Sequence, residues 1–171
     1  MRLSGECFRA HNPRWSFDPL SGEGARLSGG RFNPAGVSAL YLSRSLEGCI
    51  LEATQGLMAR MDPLTVVSYD VDVREVVDLT DAGERDRVVA PLSELACGWI
   101  VDRAAGRVPP SWAIAERLRA NYAGILVPSF ASGTTDTHVN LVLWRWNDNS
   151  SRIVRIYDPD QRLPRDQSSW R

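Results

Sequence analysis

Residues 22–45 read GEGARLSGGRFNPAGVSALYLSRS. Arg31 stands in this stretch behind Gly29 and Gly30 and ahead of a Pro-Ala-Gly turn. Glycine keeps side chains out of a ligand's way, so a bound group can approach the main chain there. A guanidinium beside such a backbone offers a planar fork of donors to a phosphate or carboxylate. The same pattern also fits an exposed loop whose arginine pairs with a nearby acid, and for Arg31 alone that plainer reading leads. Immediately downstream, "VSALYLS" (37–43) has the apolar and aromatic content of a buried strand. Ser45 then sits at the N-cap position of a helix over 46–61, "LEGCILEATQGLMARM". Leu46, Cys49, Ile50, Ala53 and Leu57 recur at helical spacing as one apolar stripe, and Glu52 falls on its flank, at the edge of the core.

A chain of 171 residues is most simply one domain. Its apolar fraction of 43% and charged fraction of 24% are those of a soluble globule. A net charge of −1 supplies no field that would draw the protein to nucleic acid or to anionic lipid. All 20 basic residues are arginine, which excludes Schiff-base chemistry, a Walker phosphate loop and a lysine general base. Cys7, Cys49 and Cys97 are widely spaced, and with two histidines they make a structural zinc site improbable, so no metal is expected. The odd cysteine count, with no signal peptide, points to a reducing cytoplasm. No stretch approaches the roughly 20 apolar residues that span a bilayer.

Further along, strands are expected over 6–12, 64–73, 75–80 and 124–129, and helices over 91–105 and 111–122, with Pro109-Pro110 between the helices. "FASGTTDTH" (130–138) reads as a mobile loop. "VNLVLWRW" (139–146) and "RIVRIYD" (152–158) read as a closing hairpin around the turn "NDNS". Strands and helices come in blocks without strict alternation, so the expected fold is α+β: a single domain over 1–158 with central mixed β-sheets flanked by helices. The polar tail 159–171 is expected to fray.

Taken singly, the remaining candidates favour plain readings. Glu52 can be a carboxylate tuned by desolvation and a cation, or a solvent-facing flank residue. Tyr41 reads first as a core aromatic with its hydroxyl at the rim. Ser129 lacks a GxSxG elbow, which weakens a catalytic triad. Asn140 can bind a ligand or merely cap its strand. His11 and His138 can serve as general acid and base for RNA cleavage, although the basic footprint of a nuclease is missing. The six tryptophans read as core and interface material, and a non-catalytic binding domain is the third class.

The set, however, resembles a family. Arg9, then LSGEGARLSGGRFNPAGVSALYLS, then Glu52 on the next helix, then GILVPS and NLVLW follow in this order from Phe8 to Trp146. This succession is similar to that of the RES-domain toxins, with Arg31 in "GGRFN", Glu52 in "ILEAT" and Ser129 in "VPS" as the family's arginine, glutamate and serine, Tyr41 as its pocket tyrosine, and Asn140 as a further pocket member. Phe32 stands where a tryptophan is common and Thr54 where an aliphatic residue is, and neither change removes a reactive group. The resemblance implies an ADP-ribosyltransferase-like fold and NAD+ as substrate, with no metal. It also implies a cognate Xre-type antitoxin that carries the DNA contact, and a toxin homodimer within a heteromeric complex. In that reading Arg31 meets the pyrophosphate and Glu52 stabilises the cation that develops on the ribose. Tyr41 holds the nicotinamide, and Ser129 and Asn140 orient nicotinamide and ribose. The expected outcome is NAD+ consumption with water or phosphate as acceptor. The alternative is mono-ADP-ribosylation of a cellular protein, and a ribonuclease ranks below both.

Overall fold

The structure, a computed structural model, describes residues 1–54 and 62–168. Seven strands follow the alternation of apolar residues: β1 (Leu3–His11), β2 (Leu40–Ser43), β3 (Thr65–Val73), β4 (Val76–Asp78), β5 (Gly124–Pro128), β6 (Val139–Leu143) and β7 (Arg152–Ile156). They form one sheet in the order β4-β5-β6-β2-β1-β3-β7. Among the described strands only β4 and β5 run parallel, so the sheet is mixed. With the helices α1 (Glu23–Ser28), α2 (Leu46–Thr54), α3 (Ala82–Arg87), α4 (Leu92–Leu95), α5 (Trp99–Ala104) and α6 (Pro110–Arg119) the domain is α+β as expected. The plural sheets of the sequence reading are the two halves of this one. β1 pairs with β3 along all nine of its residues but meets β2 at the single position Phe8↔Ser43. Beyond that position the halves part.

Alternation along the strands builds a core on each face. Ile125, Val127 and Val142 join Leu79, Leu95, Ile114 and Leu118 on one side, while Leu126, Leu141 and Leu143 join Leu40, Tyr69 and Val73 on the other. Leu163, in the polar segment after residue 158, packs against the second of these cores.

Three expectations are corrected. The closing hairpin does not form. β6 is paired on both sides, by β2 and β5, so the returning chain crosses to the far edge and pairs with β3 as β7. A strand with both ladders filled has no main-chain groups left for a hairpin partner. The helix over 91–105 is two short ones, α4 (Leu92–Leu95) and α5 (Trp99–Ala104). At the break Trp99 N–H donates to Cys97 O instead of to Leu95 O, and both carbonyls accept from Arg31.

The third correction concerns α2 (Leu46–Thr54), the helix that carries Glu52. Its N-terminus is capped by Ser45, whose Oγ accepts from Gly48 N–H at 3.1 Å. The expected continuation over 55–61, with Leu57, lies outside the described residues. Leu46 and Ala53 are exposed, and the buried positions are Gly48 and Cys49. Gly48 and Glu52 are four apart, on one face. A Cβ on Gly48 would lie 2.9 Å from both Ser43 Oγ and Ser45 Oγ, so the helix approaches the sheet by glycine instead of by a leucine stripe. α2 packs on both β1 and β2, above the line where the halves part. Glu52 is thereby delivered to the cleft.

Candidate active site

Arg31 sits at the tip of a tight turn in which Gly30 N–H donates to Asn33 O at 2.9 Å. Gly29 enters the turn at φ +72°, a conformation that glycine adopts without strain. The three carbonyls that follow are each held from elsewhere in the chain. Trp112 Nε1 donates to Gly30 O at 2.8 Å, Ser111 Oγ to Arg31 O at 2.6 Å, and Trp144 Nε1 to Phe32 O at 2.9 Å. Trp112 and Ser111 come from α6 (Pro110–Arg119), and Trp144 directly follows β6. Asn33 Nδ2 spans Ala25 O and Val37 O, both at 2.8 Å. The glycine loop is therefore rigid at its tip.

The Arg31 guanidinium is clamped from one side. Its Nη1 donates to Cys97 O at 2.6 Å and to Leu95 O at 3.3 Å, and its carbon lies 4.9 Å from the centre of the Phe130 ring. Burial pulls its pKa below the usual arginine range, with the neighbouring Glu52 acting against that shift. Among the described residues Arg31 forms no salt bridge, so a half-buried cation faces the cleft held by neutral carbonyls and a ring face.

Glu52 is fixed by the two other sequence candidates. Ser129 Oγ and Asn140 Nδ2 both donate to Glu52 Oε1 at 2.5 Å, and Asn140 Oδ1 in turn accepts from Ser43 Oγ at 2.8 Å. Charge-assisted bonds of this kind are the strong ones. Ser129 and Asn140 thus act on the carboxylate as positioning groups. Tyr41 spends its hydroxyl inside the protein: it accepts from Phe32 N–H at 3.0 Å and donates to Asn33 Oδ1 at 2.7 Å. Burial raises the pKa of that phenol well above its normal value. The Tyr41 ring lines the cleft while its oxygen holds the glycine loop.

Two cavities meet at Glu52. The larger, about 310 Å³, is lined by Arg31, Gly30, Trp99, Phe130, Glu52 and Tyr41. The smaller, about 210 Å³, occupies the wedge between β1 and β2, with Arg9 in its wall, and shares Glu52, Tyr41 and Asn140 with the first. His11 and His138 are not brought together in any of these walls. His11 donates to or accepts from Tyr69 Oη at 2.8 Å, and burial lowers its pKa to about 4. His138 lies 3.5 Å from Glu47, and its Nδ1 accepts from Thr135 N–H at 3.0 Å. The loop 130–138, read as mobile, is tied by Ser129 N–H to His138 O at 2.7 Å and by Thr134 Oγ1 to Ala131 O at 2.7 Å.

Sequence reasoning missed Ser111, Trp112, Trp144 and Asn33, the residues that set the loop. A side chain that caps a distant carbonyl leaves no local pattern. Among the described residues no helix is long and apolar enough to cross a membrane, and no group of three or more His, Cys, Asp or Glu is placed to hold a metal ion.

A single α+β domain thus sets a clamped arginine and a pinned carboxylate in the wall of one cleft. The particular family follows from comparison: residues 6–166 match the RES domain, and the chain belongs to that family. It is 35% identical over 116 residues to the Prs ADP-ribosylating toxin of Sphingobium sp. (strain YBL2), covering 66% of this chain and 65% of that relative. It is 38% identical over 80 residues to the NAD(+) phosphorylase MbcT of Mycobacterium tuberculosis, covering 42% of this chain and 43% of the relative. The matches thus span less than two thirds of these curated relatives. Its fold is similar to a chain in the crystal structure of the M. tuberculosis MbcT-MbcA toxin-antitoxin complex, at TM-score 0.59 and 27% identity, over 92% of this chain and 84% of that one.

Proposed function

We propose that this protein is the toxin of a toxin-antitoxin pair and that it binds NAD+ and cleaves the nicotinamide–ribose bond. The observation that carries the reading is the Glu52 carboxylate, pinned through Oε1 by Ser129 and Asn140 in a cleft that also holds the Arg31 guanidinium. The names of the two relatives support NAD+ chemistry. Arg31 would neutralise the phosphates of the dinucleotide. The face of Tyr41 would lie against the nicotinamide ring, with its hydroxyl reserved for the loop. As the C1′–N bond breaks, its electron pair passes to the pyridinium ring and neutral nicotinamide leaves. Positive charge then develops on the ribose, and a carboxylate already held in place stabilises it without reorganising. Ser129 and Asn140 serve this step through Glu52.

With water or phosphate as acceptor the protein drains NAD+. The ADP-ribosylating relative favours a second reading, transfer to a cellular protein, because it aligns over the longer stretch. The toxin-antitoxin neighbour supports an antitoxin partner, for which we propose an Xre-type DNA-binding protein, in a heteromeric complex containing a toxin dimer in the cytoplasm. The test is nicotinamide release from NAD+ by the purified protein, alone, with added phosphate and with cell lysate. Release by the protein alone or with phosphate supports consumption. Release only with lysate supports the transferase, and no release under any condition refutes both.

A further inference from the structure

His138 is buried, and the chemistry proposed for the cleft makes no use of its ring. It closes the loop that opens at Ser129, whose N–H donates to His138 O at 2.7 Å across the loop's neck. Within the loop His138 holds the main chain of Thr135 at both ends. Its own N–H donates to Thr135 O at 3.0 Å, and its Nδ1 accepts from Thr135 N–H at 3.0 Å. The neighbouring Thr134 reaches back through Oγ1 to Ala131 O at 2.7 Å and to Ser129 O at 3.3 Å. Both main-chain polar groups of Ser129 are therefore held by the loop that the imidazole ties together, while its Oγ donates to Glu52. One torsion separates a serine hydroxyl from its backbone, so the place of that backbone decides what the oxygen can reach.

The same ring bears on the helix that carries Glu52. A Cβ on Gly48 would lie 3.2 Å from His138 Cδ2, so the imidazole rests against α2 on the face that Gly48 shares with Glu52. With Nδ1 accepting, the ring's hydrogen is on Nε2, which lies 3.5 Å from Glu47 Oε2. That carboxylate is exposed, and such a pair contributes little. The nitrogen that holds the loop is Nδ1. We propose that His138 is a positioning residue for the reaction: through Nδ1 it fixes the loop 130–138 against α2 and so sets Ser129 Oγ on Glu52. This rests on the NAD+ reading of the cleft, in which Ser129 acts through the carboxylate.

The test measures kcat and KM for nicotinamide release by the full chain. His138→Phe keeps a ring and removes both nitrogens, and kcat is expected to fall about fivefold, the worth of one hydrogen bond. Asn offers an acceptor where Nδ1 stands, whereas Gln carries its amide out to the position of Nε2. His138→Asn should therefore recover most of the rate and His138→Gln should not; recovery by His138→Gln alone overturns the proposal. Glu47→Gln should leave kcat within about twofold of the wild type. In a Ser129→Ala background His138→Phe should cost less than about twofold more, because both residues act on one oxygen. Losses that multiply mean that His138 only supports the fold, and they overturn the proposal, as does an unchanged kcat in His138→Phe. Should His138→Phe misfold, Thr135→Pro removes the same N–H from an exposed position, and the same criteria apply. If the wild type releases no nicotinamide, the NAD+ reading fails, and the positioning role is judged by hydrogen exchange. Faster exchange over 129–138 in His138→Phe, slowed again in His138→Asn, upholds it, and exchange equal to that of the wild type overturns it.

Discussion

Ser129→Ala removes one of two donors that, among the described residues, converge on Glu52 Oε1 at 2.5 Å. A hydrogen bond to a charged group contributes about 1.5–3 kcal/mol. If that contribution is realised while charge develops on the ribose, kcat falls about 10- to 150-fold, since each 1.36 kcal/mol is a factor of about ten. Asn140→Ala removes the other donor and also strands Ser43 Oγ, so its loss should be at least as large. Because both donors serve one oxygen, the double variant should lose less than the product of the single losses. The assay is nicotinamide release at saturating NAD+, with KM measured in parallel and melting temperature as a control for folding. A drop of about 2–4 °C per kcal/mol is tolerable in a domain of this size. Unchanged kcat with a raised KM would refute the positioning argument and return Ser129 and Asn140 to direct substrate binding.

Three further predictions follow from the loop and the core. Gly30→Ala places a Cβ 2.6 Å from Tyr41 Oη and 2.8 Å from Asn33 Oδ1, both already bonded, so it should cost about 1–3 kcal/mol of stability and raise the KM for NAD+; a melting curve and KM like the wild type's would contradict the described loop. Arg31→Gln should raise the KM for NAD+ about 10- to 150-fold through loss of a charge-assisted contact, with a smaller effect on kcat; wild-type affinity in a direct titration removes Arg31 from the binding site. Burial lowers the pKa of His11 in the folded protein to about 4 from its ordinary 6.5, so the unfolded chain binds more protons between those values. Stability should accordingly fall as pH drops from 6.5 towards 4, by up to about 3 kcal/mol. Denaturation across that range should show the slope, and His11→Gln should flatten it.

Local signals in the sequence were enough for the elements whose causes are local. Ser45 caps α2 as its position implies, and β3 and β5 fall where their apolar residues place them. The failures have non-local causes. The hairpin reading of 139–158 had a real turn at its centre, with Asn147 N–H on Arg152 O, but strand pairing was decided by neighbours far away in sequence. The break at Cys97-Gly98 leaves carbonyls to which Arg31, more than sixty residues earlier, donates. Glu52 was legible as a core-edge residue, yet its face of the helix was misjudged because glycine instead of leucine makes the contact. Arg31, Tyr41, Glu52, Ser129 and Asn140 converge in space, whereas their links to one another, and the part played by Ser111, Trp112 and Trp144, required the fold.

The most direct test is a comparison of wild-type protein with Glu52→Gln, which keeps the side chain's size and removes its charge, in a single-turnover measurement of nicotinamide release from NAD+. The account predicts release by the wild type and a loss of rate in Glu52→Gln of at least a hundredfold, with NAD+ binding largely retained. Equal rates in the two proteins would contradict it.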